Sequence, residues 1–165
     1  MKQPKQRITI SVIGGHETNP EVEKLAYAVG KNVAEAGAVL VCGGLNGVMA
    51  AAARGAKEAG GLTIGLLPGK EKKDANPCID IALPTSIGYA RNAIVACSAD
   101  IIVALPGSYG TSCEISYGLV YGRPVVDCGD WNVKGMIKVK NIDELAVKLE
   151  KLIEKIHPHA RTSGS

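Results

Sequence analysis

The chain contains no phenylalanine, one tryptophan and five tyrosines. Aromatic residues are only 4% of its 165 residues, so the core must be packed from Val, Ile, Leu and Ala. The five cysteines, at 42, 78, 97, 113 and 128, are odd in number and form no C-x-x-C pair. A disulfide framework or a zinc site is disfavoured, and reduced thiols in a cytoplasmic protein fit better. No apolar run approaches the ~20 residues that cross a membrane. The early run Ile8–Ile13 is too short for a signal peptide and leads into Gly14-Gly15. Charge of one sign is also lacking: 19 basic and 16 acidic residues leave +3. The scattered bases Lys2, Lys5 and Arg7 and the run Lys70–Lys73 have no aromatics interleaved. Nucleic acid is therefore not an expected partner.

Two nucleotide-binding patterns are missing as well. There is no G-x-x-x-x-G-K-[ST], which excludes a P-loop NTPase. No G-x-G-x-x-G follows the first apolar run, and the second ends in Cys42-Gly43 instead of an acidic residue for a ribose. A dinucleotide dehydrogenase is disfavoured on both counts.

What is present is an alternation of short apolar runs and helical segments. Ile8–Ile13, Ala38–Cys42, Leu62–Leu67, Asp100–Leu105 and Arg123–Asp127 read as strands. Ile79–Leu83 reads as a fourth strand or an extended segment, and Ile137–Val139 as a last short strand. Helices are predicted from Pro20, capped by Asn19, to about Ala36, then over Gly47–Ala59, Ile87–Ser98, Thr111–Tyr121 and Ile142–Ile156. Lys70–Pro77 reads as a surface loop. The pattern predicts an α/β fold of the doubly wound, Rossmann-like kind, with a mostly parallel sheet and helices on both faces. Residues 1–160 would form one nucleotide-binding domain, and the Ser/Gly-rich end 161–165 a disordered tail or an appended scar. The strand order expected is 3-2-1-4-5. Ligands bind outside the carboxyl ends of such strands, at the switch between strands 1 and 4.

Three glycine turns fall at strand carboxyl ends. The sharpest is Pro106-Gly107-Ser108-Tyr109-Gly110-Thr111, which joins an apolar strand to a helix start. Its glycines let backbone approach a ligand, and the unpaired N–H groups of a first helical turn hold phosphate. Thr111-x-x-Glu114 also matches a capping box, which would make both residues helix stabilisers. The second turn is Gly43-Gly44-Leu45-Asn46-Gly47, with Asn46 either an N-cap or a ligand contact. The third is Gly14-Gly15-His16, whose histidine is more often a surface residue than a ligand. Cys42, Cys113 and Cys128 fall near the same edge, but no histidine partner is evident for a thiol nucleophile. Cys78 and Cys97 read as inert.

Tyr89-Ala90-Arg91-Asn92 and Pro106–Glu114, with Gly43–Met49 and Ala53-Arg54-Gly55-Ala56, resemble the LONELY GUY-type family, also labelled "possible lysine decarboxylase". The resemblance covers roughly residues 8–156. It looks closest to the short branch that includes molybdenum-cofactor carrier proteins, and is distantly similar to the fold of DNA-processing protein A. The family's marks are an R-K step on one helix and P-G-G-x-G-T-x-x-E after the next strand. Here R-K reads Arg91-Asn92 and the second glycine reads Ser108, while Gly107, Gly110, Thr111 and Glu114 keep the pattern. The decarboxylase label has no support, because no lysine falls in the three glycine turns.

The resemblance implies two functions. The first is a hydrolase that cleaves the N-glycosidic bond of a purine nucleoside 5′-monophosphate. Phosphate would sit on the amides of Gly110 and Thr111. Glu114 would stabilise the oxocarbenium-like centre or activate water, and Arg91 would hold phosphate or ribose oxygens, unless it makes a surface ion pair. The second is a carrier that holds molybdenum cofactor or another phosphorylated ligand without turning it over. Neither requires a metal bound by the protein or a cofactor for catalysis. A homo-oligomer is expected, paired through the helices at Ile87–Ser98 and Thr111–Tyr121.

Overall fold

A computed structural model describes residues 6–158. The elements are β1 (Thr9–Ile13), α1 (Pro20–Glu35), β2 (Val39–Cys42), α2 (Val48–Glu58), β3 (Thr63–Leu67), β4 (Ile81–Pro84), α3 (Arg91–Cys97), β5 (Ile101–Ala104), α4 (Tyr109–Val120), β6 (Val125–Asp127), β7 (Ile137–Lys138) and α5 (Ile142–Ile156). The strands form one seven-stranded sheet in the order β4-β3-β2-β1-β5-β6-β7, with every pairing parallel.

The order extends the expected 3-2-1-4-5 at both edges. Ile81–Pro84 is a true strand, but it pairs outside β3 and not beside β1. The strand across the switch from β1 is β5, registered Ile10 to Ile101 and Ile13 to Ala104. The edge position explains the weak signal of β4: Ile81 and Leu83 are exposed, so no continuous apolar run marks it.

Side chains along each strand alternate between two cores. Ile10 and Val12 of β1, with Ile101 and Val103 of β5, pack against α1, α2 and α5. Ile13, Ile102 and Ala104 pack on the other face, against α3 and α4. Each fully buried Ile, Leu or Val adds about 1.5–3 kcal/mol relative to exposure. Ser11 points toward α3 and is satisfied there, donating to the Val95 carbonyl at 2.6 Å. Asn19 caps α1 by accepting the Val22 N–H at 2.9 Å, with Pro20 in the first helical turn.

Two helix starts differ from the reading of the sequence. The segment Ile87–Ser98 is not one helix: a single 3-10 turn, Gly88–Ala90, precedes the seven-residue α3. Ser86 and Gly88 adopt φ of 59° and 61°, a left-handed conformation that a helix cannot propagate through. Helix α4 begins at Tyr109, two residues earlier than expected. The bases Lys2 and Lys5 and the tail 161–165 lie outside the described residues.

Candidate functional site

The three glycine turns meet at the carboxyl edge, where β1 and β5 send their chains in opposite directions. The Gly15 N–H donates to the Pro106 carbonyl at 2.9 Å, joining the first turn to the third. The Val48 N–H donates to the Gly15 carbonyl at 3.0 Å, joining the second turn to the first. Two glycines are required by these contacts. Gly47 has φ 70°, and a Cβ there would lie 2.2 Å from the His16 carbonyl oxygen. A Cβ on Gly107 would lie 2.1 Å from Thr111 Oγ1 and 2.9 Å from the Gly15 nitrogen.

These bonds divide the turns by role. The amide that opens α2 is consumed by Gly15, so the Gly43–Gly47 turn braces its neighbour. Asn46 does not cap α2: the cap position is Gly47, no side-chain cap is formed, and Asn46 is exposed. At α4 the amides of Tyr109, Gly110 and Thr111 donate to no backbone carbonyl. They remain open donors at the positive end of a twelve-residue helix.

Thr111 and Glu114 are not a capping box. Ser108 occupies the cap position, its side chain makes no capping bond, and Thr111 and Glu114 lie inside the helix. Both are buried. Ser108 has φ −125°, a backbone angle open to any residue, so replacing the family's second glycine causes no strain. Pro106 is half-buried behind it, and Gly107 and Ser108 are exposed.

Arg91 is not a surface residue either. It is 6% exposed, and its guanidinium faces the second turn. Nη2 donates to the Gly43 carbonyl at 3.3 Å, and Nη1 donates to Asn92 Oδ1. Nε is the one buried side-chain nitrogen or oxygen without a partner among the described residues. Burial lowers the Arg91 pKa from its ordinary value, against the pull of Glu114. A guanidinium nonetheless keeps its proton in proteins. Burial pushes the Glu114 carboxyl up to about 8, and the charge of Arg91 only partly opposes it. Among the described residues Glu114 accepts no hydrogen bond. A carboxyl in that state is protonated near pH 7 and can donate a proton or a hydrogen bond.

The remaining expected residues are peripheral. His16 is exposed. Gly14 and Gly44 pack tightly, against Val48 and Leu67 respectively. Burial pushes the Cys42 thiol up to about 11 and, with the Asp127 charge, the Cys128 thiol up to about 12. Cys113 is exposed on α4. Among the described residues no group of three or more His, Cys, Asp or Glu is placed to hold a metal, and no helix is long and apolar enough to cross a membrane.

Two supports of the site were not singled out from sequence. Asn76, inside the presumed surface loop, is buried and donates to the carbonyls of Gly44 and Leu45 at 3.3 and 2.8 Å. It anchors the second turn. Trp131 Nε1 donates to the Leu105 carbonyl at 2.9 Å, while Asp127 accepts the N–H groups of Gly129, Trp131 and Asn132. That loop backs the third turn. An Asn within a polar stretch and a lone Trp carry no local signal for such long-range bonds.

Comparison with known proteins agrees with the fold. An uncharacterized protein of Archaeoglobus fulgidus is 46% identical over 117 residues, 70% of this chain and 76% of that one. A cytokinin riboside 5′-monophosphate phosphoribohydrolase of Mycobacterium marinum is 33% identical over 101 residues, 59% of this chain and 54% of that one. The solved molybdenum cofactor binding protein of Rippkaea orientalis superposes with a TM-score of 0.85 at 32% identity, covering 91% of this chain and 99% of that one. The model of the SLOG cluster4 family matches residues 7–158, and the chain belongs to that family.

Proposed function

We propose that the protein binds a phosphorylated small molecule at the start of α4 and holds it as a carrier of molybdenum cofactor. The observation that carries this reading is the convergence of unused donors. The amides of Tyr109, Gly110 and Thr111 are open at the start of α4, and the buried Arg91 lies nearby, its Nη1 donating to the Asn92 side chain that approaches Gly110. Backbone amides at a helix start, with a buried guanidinium beside them, suit a phosphate monoester. Molybdenum cofactor carries one such phosphate, which these amides, the Ser108 hydroxyl and Arg91 would hold. When bound, that cofactor supplies redox chemistry to whichever enzyme receives it. The near-complete coverage of a molybdenum cofactor binding protein supports the carrier over a hydrolase, as does Asn92 in place of the family's lysine.

A second reading, purine nucleoside monophosphate hydrolysis, is favoured by Glu114. Its buried carboxyl lies one helical turn beyond the open amides and is protonated near pH 7. Such a group can give its proton to a departing purine while water adds to the ribose carbon, and the carboxylate left behind regains the proton that the water loses, yielding free base and ribose 5-phosphate. The Mycobacterium marinum relative supports this reading.

Mass spectrometry of protein purified natively from cells that make molybdenum cofactor separates the two. A co-purifying pterin phosphate is expected. A purine monophosphate, together with free adenine released from added AMP, would give the hydrolase. If neither ligand is found and sulfate or phosphate soaked into crystals leaves the start of α4 empty, the phosphate site itself is wrong.

A further inference from the structure

A cavity of about 270 Å³ lies at the carboxyl ends of β6 and β7, between the loop after β6 and the start of α5. Ligands of open parallel sheets bind beyond that edge. The cavity is on the face covered by α1 and α5, and none of Arg91, Gly110, Thr111 and Glu114 lines it. Its lining has two parts. Leu25 of α1, Val139 and Ile142 are aliphatic and half-buried. Asp130, Asn132, Lys138 and Lys140 are polar and exposed, and form the rim. Cys128 adds no charge, because burial and the Asp127 carboxylate push its thiol up to about 12. Among the described residues no aromatic ring lines the cavity, so it offers no stacking platform for a planar base.

The rim is ordered by charge. Lys138 Nζ donates to Asn132 Oδ1, and Asn132 Nδ2 donates to Asp130 Oδ1 at 2.7 Å. That chain occupies Lys138 and one oxygen of Asp130. The second Asp130 oxygen and the Lys140 ammonium have no partner among the described residues. Asp127 is spent on the N–H groups of Gly129, Trp131 and Asn132. The start of α5 is capped, with Asn141 Oδ1 accepting the Glu144 N–H at 2.9 Å, so the positive charge at the rim is that of the lysines. Asp130 and Asn132 hold left-handed backbone, φ 56° and 55°, on either side of Trp131. Trp131 packs into the core of the opposite face while its two neighbours line the cavity.

We propose that this cavity is a second ligand site, for a small aliphatic α-amino acid. The apolar side chain lies on Leu25, Val139 and Ile142, the ammonium group donates to the free oxygen of Asp130, and the carboxylate accepts from Lys140. A ligand with one charge of each sign answers both unpaired groups of the rim. An inorganic anion would face the Asp130 carboxylate, and a neutral apolar molecule would leave both groups unanswered. The site stands independently of the phosphate reading, since the two share no residue.

The single tryptophan, flanked by two residues of the rim, reports on occupancy. Its fluorescence is followed in the whole protein during titrations with L-leucine, with isoamylamine, which lacks the carboxylate, and with isocaproate, which lacks the ammonium group. L-Leucine is expected to give a saturable change, and each analogue to bind about 10- to 100-fold more weakly, the range for losing a hydrogen bond to a charged group. Asp130→Asn keeps a residue that accepts the left-handed angle. It should weaken L-leucine by the same factor and leave isocaproate unchanged. Lys140→Gln should weaken L-leucine and leave isoamylamine unchanged. Unaltered L-leucine affinity in both variants overturns the proposal. Nuclear magnetic resonance on the unaltered protein gives the location, even where the fluorescence is silent. The methyl signals of Leu25, Val139 and Ile142 should move with L-leucine, and the backbone amides of Gly110 and Thr111 should not. Movement of Gly110 and Thr111 alone, or of no signal, overturns the site. Methyl signals that answer inorganic phosphate and not L-leucine would make the cavity an anion site and overturn the amino-acid assignment.

Discussion

Arg91 and Glu114 are both 6% exposed and close enough for their charges to interact, yet no salt bridge joins them among the described residues. Each charge favours ionisation of the other, but burial acts more strongly on both. Arg91 spends Nη1 on Asn92 and Nη2 on Gly43, which leaves the Glu114 carboxyl without a hydrogen-bond partner among the described residues.

The state of Glu114 is visible in the pH dependence of stability. An unfolded glutamate titrates near pH ~4.3. In the folded protein the carboxyl is pushed up to about 8. Between these values the folded state binds more protons than the unfolded one, so stability falls as pH rises, by at most about 1.4 kcal/mol per pH unit. Glu114→Gln, uncharged throughout, should remove this slope. Thermal midpoints from pH 5 to 9 check it: the wild type should decline relative to the variant and level off above about pH 8. Parallel profiles would show that Glu114 is ionised in the folded protein. If the protein hydrolyses nucleotides, the same variant should lose turnover by a factor on the order of 100.

Gly107 is a steric necessity of the third turn. In Gly107→Ala the new methyl would meet the Thr111 side chain and the Gly15 amide. The expected outcome is a loss of about 1–3 kcal/mol in stability, typical of overpacking. Phosphate affinity should fall with it, because Thr111 must move. Denaturant midpoints and a phosphate titration measure both, and unchanged values would show that the turn is pliable.

The thiols should differ in reactivity. Cys42 and Cys128 are protonated at neutral pH, pushed up to about 11 and about 12, and Cys113 is exposed. A disulfide reagent at pH 8 should modify Cys113 ahead of these two, since the thiolate is the reactive form and access limits the rest. Mass mapping of the first modified peptide tests this. Early modification of Cys42 would contradict its burial.

Pairing of two chains is expected through α3 and α4. Ile94, Tyr117 and Val120 on these neighbouring helices, and Tyr121 just after α4, expose 40%, 39%, 78% and 65% of their surface. Apolar and aromatic side chains in such a group suit a self-complementary contact. Sedimentation at micromolar concentration should show a dimer or larger assembly, and Val120→Lys should shift it toward monomer. A fully monomeric wild type would remove this face from consideration.

Much of the molecule was determined by local sequence. Continuous Val/Ile/Leu runs alternating with helical segments specify a parallel sheet covered on both faces, because each run must be buried on two sides. Asn19-Pro20 set the start of α1 through a bond three residues long. The glycine turns marked the sheet edge where the three turns meet. Tertiary structure alone decided three other matters. It placed Ile81–Pro84 outside β3, since an edge strand with exposed side chains has no sequence signature of its neighbour. It moved the α4 start to Tyr109, which turned an apparent capping pair into two buried side chains of the helix. It also buried Arg91 against Gly43, 48 positions away, and so presented the Asn92 amide to Gly110. The physical reason is common to all three. Burial and charge are set by neighbours distant in the chain, while propensity and turn chemistry are read from residues a few positions apart.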